Sequence, residues 1–151
     1  MNAQNVEFLK VLSNDDFPQW AKRETIVRFF HETMKPYQDK LEDIELALDY
    51  AFSRDRSEGG FLMLAYNGSE LLGALLMLNT GMKGYIPENI LLFVTVSPEM
   101  RGKGIGGKLC RHCIDEVDGD VKLHVDYDNP AKHLYERLGF TTKYAEMRIK
   151  R

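Results

Sequence analysis

The sequence predicts a single mixed α/β domain over residues 1–151, with a central sheet of about six to seven strands flanked by about four helices. Three observations predict it. A length of 151 residues suits one hydrophobic core. Apolar runs of strand length alternate with segments of helical period, and turn-forming residues punctuate the junctions between them. The hydrophobic share of 44% and charged share of 28% exclude disordered, collagen-like and disulfide-scaffold classes.

Residues 6–11 read as a first strand, followed by the turn and capping residues Ser13, Asn14, Asp15 and Asp16. A helix is expected to open near Pro18 with Asp16 or a near neighbour as its cap, because Trp20, Val27, Phe30 and Met34 recur at helical spacing, and Pro36 ends it. A second helix over 38–53 carries Leu41, Ile44, Leu48, Ala51 and Phe52 on one stripe, with Glu42, Asp43, Glu45 and Asp49 on the solvated side. The polar segment 54–60 leads to strands over 61–66 and 70–78, joined at Asn67-Gly68-Ser69, a tight hairpin signal. After a glycine- and proline-broken loop, residues 90–96 form a β-branched and aromatic run of the buried-strand type. Ile105, Leu109, Cys113 and Val117 mark a third helix. Residues 121–126 alternate as a strand, residues 130–138 form a fourth helix stopped by Gly139, and residues 141–149 are expected to give a final strand pair.

Charge and apolar patterning narrow the function. Residues 1–97 carry 9 Lys/Arg against 14 Asp/Glu, and residues 98–151 carry 11 against 9. A polyanion binder shows one concentrated basic face, so nucleic acid is not the expected partner. A small anionic ligand fits the C-terminal half, and the acid-rich first half suits a cationic second substrate. The longest apolar run, residues 71–78, falls short of the roughly 20 residues of a membrane-spanning helix. No secretory leader is read at residues 1–5, and a cytoplasmic address is expected. Cys110-Arg111-His112-Cys113 lacks a second ligand cluster for zinc. The two thiols fall on the apolar stripe of the third helix and read as buried small hydrophobes, with no metal site expected.

The chemistry concentrates after residue 96, where Arg101, Gly102, Lys103, Gly104, Ile105, Gly106 and Gly107 join a buried strand to a helix. Glycines let backbone approach an anion, and the free amides at a helix start point at it with the dipole behind them. The spacing matches neither the dinucleotide fingerprint nor an ATP-type P-loop. The run Val96-Ser97-Pro98 with Arg101-Gly102-Lys103-Gly104-Ile105-Gly106 resembles the Arg/Gln-x-x-Gly-x-Gly/Ala signature of the GNAT superfamily of N-acetyltransferases. A second segment, Asn129-Pro130-Ala131 with Leu134-Tyr135 and Gly139-Phe140, is similar to that family's downstream motif, with Ala131 one residue closer to Asn129 than in the loose pattern.

The resemblance implies a GNAT-like fold and an acyltransferase that moves the acetyl group of acetyl-CoA to a primary amine. In that reading the amides of residues 101–107 hold the CoA pyrophosphate, and Val94, Thr95 and Val96 run beside the pantetheine arm, with the amide near Val94 as oxyanion donor. Asn129 contacts the cofactor while also capping the fourth helix, and Tyr135 protonates the departing thiolate. Family members with a strand glutamate place it where this chain has Ile90. Glu88, Asp126 and His124 are therefore the candidates for general base, beside a solvent proton route with no dedicated base. Trp20, Phe29, Phe30, Tyr50 and Phe52 read equally as core or as acceptor-pocket lining. The alternative reading is a non-catalytic module that binds CoA or an acyl-CoA. The acceptor and the choice between monomer and homodimer stay open.

Overall fold

The computed structural model describes residues 5–53 and 59–151. Residues 54–58 of the expected polar connection and residues 1–4 lie outside the described residues. The elements are β1 (Glu7–Val11), α1 (Arg23–Thr33), α2 (Leu41–Ala51), β2 (Gly60–Asn67), β3 (Glu70–Asn79), β4 (Asn89–Val96), α3 (Ile105–Glu116), β5 (Val121–Lys122) and α4 (Ala131–Arg137). The five strands form one sheet in the order β1-β2-β3-β4-β5. The first four are antiparallel neighbours, and β5 joins β4 in parallel through only two residue pairs, Asn89 with Val121 and Ile90 with Lys122.

Each face of the sheet carries its own apolar core. On one side Ile26, Val27 and Phe30 of α1 and Ile44, Leu48 and Ala51 of α2 pack with Val11, Leu62, Leu64, Leu76 and Phe93. On the other, Ile105, Leu109, Cys110 and Cys113 of α3 pack with Met63, Leu75, Met77 and Leu91. The alternating strand pattern decides which side chain goes to which face. Burial of this kind supplies roughly 1.5–3 kcal/mol per large apolar side chain before conformational entropy is set against it.

Three expectations need correction. The α1 helix opens at Arg23 instead of near Pro18, because Asp16 closes a local 3-10 turn, its carboxylate accepting the Leu12 amide at 3.0 Å. The strand expected over 121–126 pairs only at 121–122, and residues 141–149 form no strand pair, so the sheet has five strands where six to seven were expected. The alternating pattern of 141–149 has no ladder partner to satisfy it, and those residues are exposed. Trp20, Phe29, Phe30 and Phe52 belong to the α1/α2 core, and the Tyr50 hydroxyl donates to the Asn79 carbonyl at 2.8 Å. None of these five residues lines the cleft that opens beside β4.

Candidate active site

The site grows from one irregularity in β4. Leu76 faces Phe93 while Met77 faces Leu91, so Leu92 is an extra residue, a β-bulge. A bulge bends its strand and reverses the alternation beyond it. Leu92 and Phe93 therefore both pack toward α1 and α2, and Leu91 and Val94 toward α3. Past Ile90 the strand parts from the segment after β5, and the opening is a cleft of about 1320 Å³ lined by Leu92–Val96 on one wall and residues 122–127 on the other.

Hydrogen-bond parity shows what β4 presents to that cleft. The Ser97 amide donates to the Leu72 carbonyl at 2.8 Å, so that pair is a bonded one. Bonded and unbonded pairs alternate in an antiparallel ladder. Opposite Gly73 and Leu75, Val96 and Val94 are thus unbonded to β3, and their N–H and C=O groups point into the opening. The Val96 carbonyl confirms the parity by accepting from Arg101 Nε at 3.1 Å. Thr95 turns the other way, with Thr95 Oγ1 2.7 Å from Thr33 Oγ1.

A 3-10 turn, Pro98–Met100, then carries the chain into the glycine segment. Gly102 and Gly104 have φ of +78° and +82°, a region that favours glycine. The first helical bond of α3 runs from the Lys108 amide to the Gly104 carbonyl at 3.1 Å. Among the described residues, nothing accepts from the amides of Gly102, Lys103, Gly104, Ile105, Gly106 or Gly107. This is a row of free donors at the positive end of a 12-residue helix. The Ile105 side chain is buried in the α3 core, so only its amide is on offer. Gly106 lines the cleft, and Gly107, whose Cβ position would lie 3.6 Å from Leu134 Cδ1, borders a separate surface pocket with Phe8, Arg111 and His112. Free donors, a cleft-facing strand edge and an open wall together suit a diphosphate joined to an extended arm.

Tyr135 and Asn129 meet this strand from α4. Tyr135 lines the cleft, packs at its base on the α3 core and on the edge of Phe140, with ring centroids 6.0 Å apart. Burial, with the neighbouring Cys110 acting in the same sense, holds its phenol well above the usual range near 10. Among the described residues its hydroxyl has no partner. Asn129 Oδ1 accepts the Ala131 amide at 2.9 Å, so the side chain caps the start of α4.

The base candidates separate. Asp126 and His124 line the cleft. Glu88 does not: its carboxylate lies over Gly119 at the opposite end of β4, where a Cβ built on Gly119 would fall 1.5 Å from Glu88 Oε2. Two residues that the sequence did not single out also line the cleft, Tyr37 and Asp39 from the loop after α1. Burial, then Asp43 and Asp126, raises the Asp39 carboxyl, with Arg148 acting against it. The Tyr37 hydroxyl donates to the Asp128 carbonyl at 3.2 Å and so joins the two walls.

Known proteins share this fold. The chain is 42% identical over 57 residues to the mouse cysteine-rich protein 2-binding protein. That stretch is 37% of this chain and 7% of the relative, so the chain spans only a small part of the curated relatives it matches. The fold is similar to that of a ribosomal-protein-alanine N-acetyltransferase from Brucella melitensis biovar Abortus 2308, with a TM-score of 0.64, 18% identity, and 96% and 98% of the two chains covered. It is equally similar to an aminoglycoside acetyltransferase from an uncultured soil metagenomic sample in complex with sisomicin, with a TM-score of 0.64, 16% identity, and 98% and 96% covered. The model of the acetyltransferase (GNAT) family matches residues 16–140, and the chain belongs to that family.

Proposed function

We propose that this chain transfers the acetyl group of acetyl-CoA directly to a primary amine. The observation that carries the reading is the row of free amides at residues 102–107, set at the end of a strand whose Val94 backbone faces a cleft containing Tyr135. Acetyl-CoA bound there supplies an activated acyl carbon and a thiolate leaving group. The loop amides hold the diphosphate, and the Val94 and Val96 backbone edge aligns the arm. The Val94 amide donates to the carbonyl oxygen as negative charge develops on it, an interaction worth about 10²–10³ in rate when such a donor is preorganised.

Tyr135 gives its proton to the leaving sulfur and recovers one from solvent. Its raised pKa keeps the O–H in place throughout the neutral range. The attacking amine must shed its own proton, and Asp126 and His124 stand on the wall where water can carry it away. Asn129 supports the reaction by capping α4 and so fixing the approach of Tyr135.

A second reading, a CoA-binding module without turnover, draws on the place of Glu88 away from the cleft together with Ile90, which stands where the family resemblance puts a strand glutamate. Thiol release from acetyl-CoA, measured over a panel of polyamines, aminoglycosides, amino acids and peptide N-termini, separates the two. Release dependent on one acceptor class establishes the transferase. Binding of CoA in calorimetry with no release from any acceptor establishes the module.

A further inference from the structure

Backbone amides account for the phosphate contacts of the glycine turn and leave the Arg101 guanidinium to be explained. Its Nε donates to the Val96 carbonyl at 3.1 Å and its Nη2 to the Thr33 carbonyl at 2.5 Å. Thr33 is the last residue of α1, so its carbonyl is one of the four a helix leaves without an internal partner, at the end where a cation is favoured. The Thr33 hydroxyl donates its single proton to the Phe29 carbonyl at 2.6 Å. The 2.7 Å contact with Thr95 must then be a bond donated by Thr95. The end of α1 is thus tied to β4 twice, by Thr95 through a hydroxyl and by Arg101 through a carbonyl.

The tie matters because the chain leaving Thr33 builds part of the cleft. Residues 34–37 and Asp39 line it, and Tyr37 reaches across to the Asp128 carbonyl. Arg101 is therefore the side chain through which the glycine turn, the exit of β4 and the wall bearing Tyr37 and Asp39 meet. Its planar fork is engaged by two neutral carbonyls, an arrangement that a lysine's single ammonium does not reproduce.

We infer that Arg101 is a positioning residue that couples the glycine turn to the 34–40 wall of the cleft, and that its side chain is not a diphosphate ligand. The inference rests on the acetyl-CoA reading and assigns a role within it. Ordering of the turn by CoA restrains Arg101, Arg101 restrains the end of α1, and the wall on the acceptor side becomes less mobile.

CoA itself is the probe, with the wild-type chain, Arg101→Met and Arg101→Lys compared by calorimetry and by amide hydrogen exchange. In the wild type, saturating CoA slows exchange at residues 34–40 by about tenfold, within the usual range of site-to-site coupling. In Arg101→Met that slowing falls below about twofold while CoA affinity stays within about threefold of wild type, and Arg101→Lys is intermediate in the slowing. A merely structural defect alters exchange at 34–40 without CoA but leaves the CoA-dependent slowing unchanged, and so overturns the inference. It is also overturned if Arg101→Met loses CoA affinity tenfold or more while Arg101→Lys keeps it, the pattern of a charge on phosphate. A wild-type chain that gives no heat with CoA sinks the acetyl-CoA reading itself, and this inference with it.

Discussion

Of the cleft's two walls, the one made by β4 is built into the core and carries the exposed glycine turn at its end, whereas no described residue after Cys113, and so none of the opposite wall, is buried. On β4 the alternate residues Asn89, Leu91, Phe93 and Thr95 are buried and the ladder to β3 runs its full length. The opposite wall hangs from two paired residues of β5 and a seven-residue helix. The difference reflects what each wall offers. Backbone donors stabilise developing charge only when they are fixed beforehand, and only the core can fix them. A wall of side chains such as His124, Asp126 and Tyr135 can adjust as a substrate enters. Elements with few buried apolar contacts open at low free energy.

The largest effect expected from testing this division is on Tyr135, the proposed general acid of the open wall. Tyr135→Phe should lower kcat by about 100-fold, the lower end of a general acid's contribution, with CoA affinity within about threefold. The pH profile sharpens it. The working form is the neutral O–H, and burial raises the pKa above the ordinary value near 10, so ionisation of Tyr135 removes no activity below that pH. An alkaline fall in wild-type rate centred between about pH 7 and 9 that disappears in Tyr135→Phe would show that the phenol ionises in that range and that burial does not hold its pKa up.

Next in size is the rigid wall itself. Gly104 sits at φ +82° with nothing within 4 Å of the place a Cβ would take, so Gly104→Val meets a conformational penalty and no clash. Roughly 1–2 kcal/mol of left-handed strain corresponds to CoA affinity about 5- to 30-fold weaker if the turn must hold its shape to bind. Gly106→Ala is the control. Its Cβ would lie 3.5 Å from Leu134 Cδ2 and 3.6 Å from Val96 Cγ2, ordinary contacts, so stability should not change and any lost affinity reports the approach of the ligand. Unaltered CoA binding in Gly104→Val would show that the turn's geometry is dispensable.

The two walls also differ in how far the sequence discloses them. The β4 wall is legible because its signals are local: a buried apolar run, a 3-10 turn begun by Pro98, and glycines at the positive-φ positions. The α4 helix is legible for the same reason, with Asn129-Pro130 at its start and Gly139 at its end. What the sequence conceals depends on tertiary contact. The start of α1 is misplaced because Asp16 has a nearer use, bonding the Leu12 amide. The alternation at 121–126 reads as a full strand, yet the bulge at Leu92 carries β4 away after two pairs. Glu88 directly precedes β4, but its carboxylate turns over Gly119 and away from the cleft. Tyr37 and Asp39 carry no motif and reach the cleft only because α1 ends against β4. Arg101 enters the sequence reading only as part of the glycine segment, and the approach of Thr33 shows the carbonyls that its side chain serves.

The smallest expected effects test the division most directly, because one hydrogen bond is removed from each wall. Thr95→Val deletes the donor to Thr33, whose hydroxyl keeps its bond to the Phe29 carbonyl, so one hydrogen bond is lost at a cost of about 1 kcal/mol. Because β4 has buried alternate residues and pairs with β3 along its length, that cost should appear as a fall in Tm of about 2–6 °C for a chain of this size. Asn129→Ala deletes the cap on α4 at a comparable cost of about 1 kcal/mol, but α4 buries no residue and should fray on its own. Its signature is faster amide exchange over residues 131–137 with Tm nearly unchanged. If Asn129→Ala lowers Tm as much as Thr95→Val, the open wall unfolds together with the core, and the contrast in rigidity between the two sides of the cleft is lost.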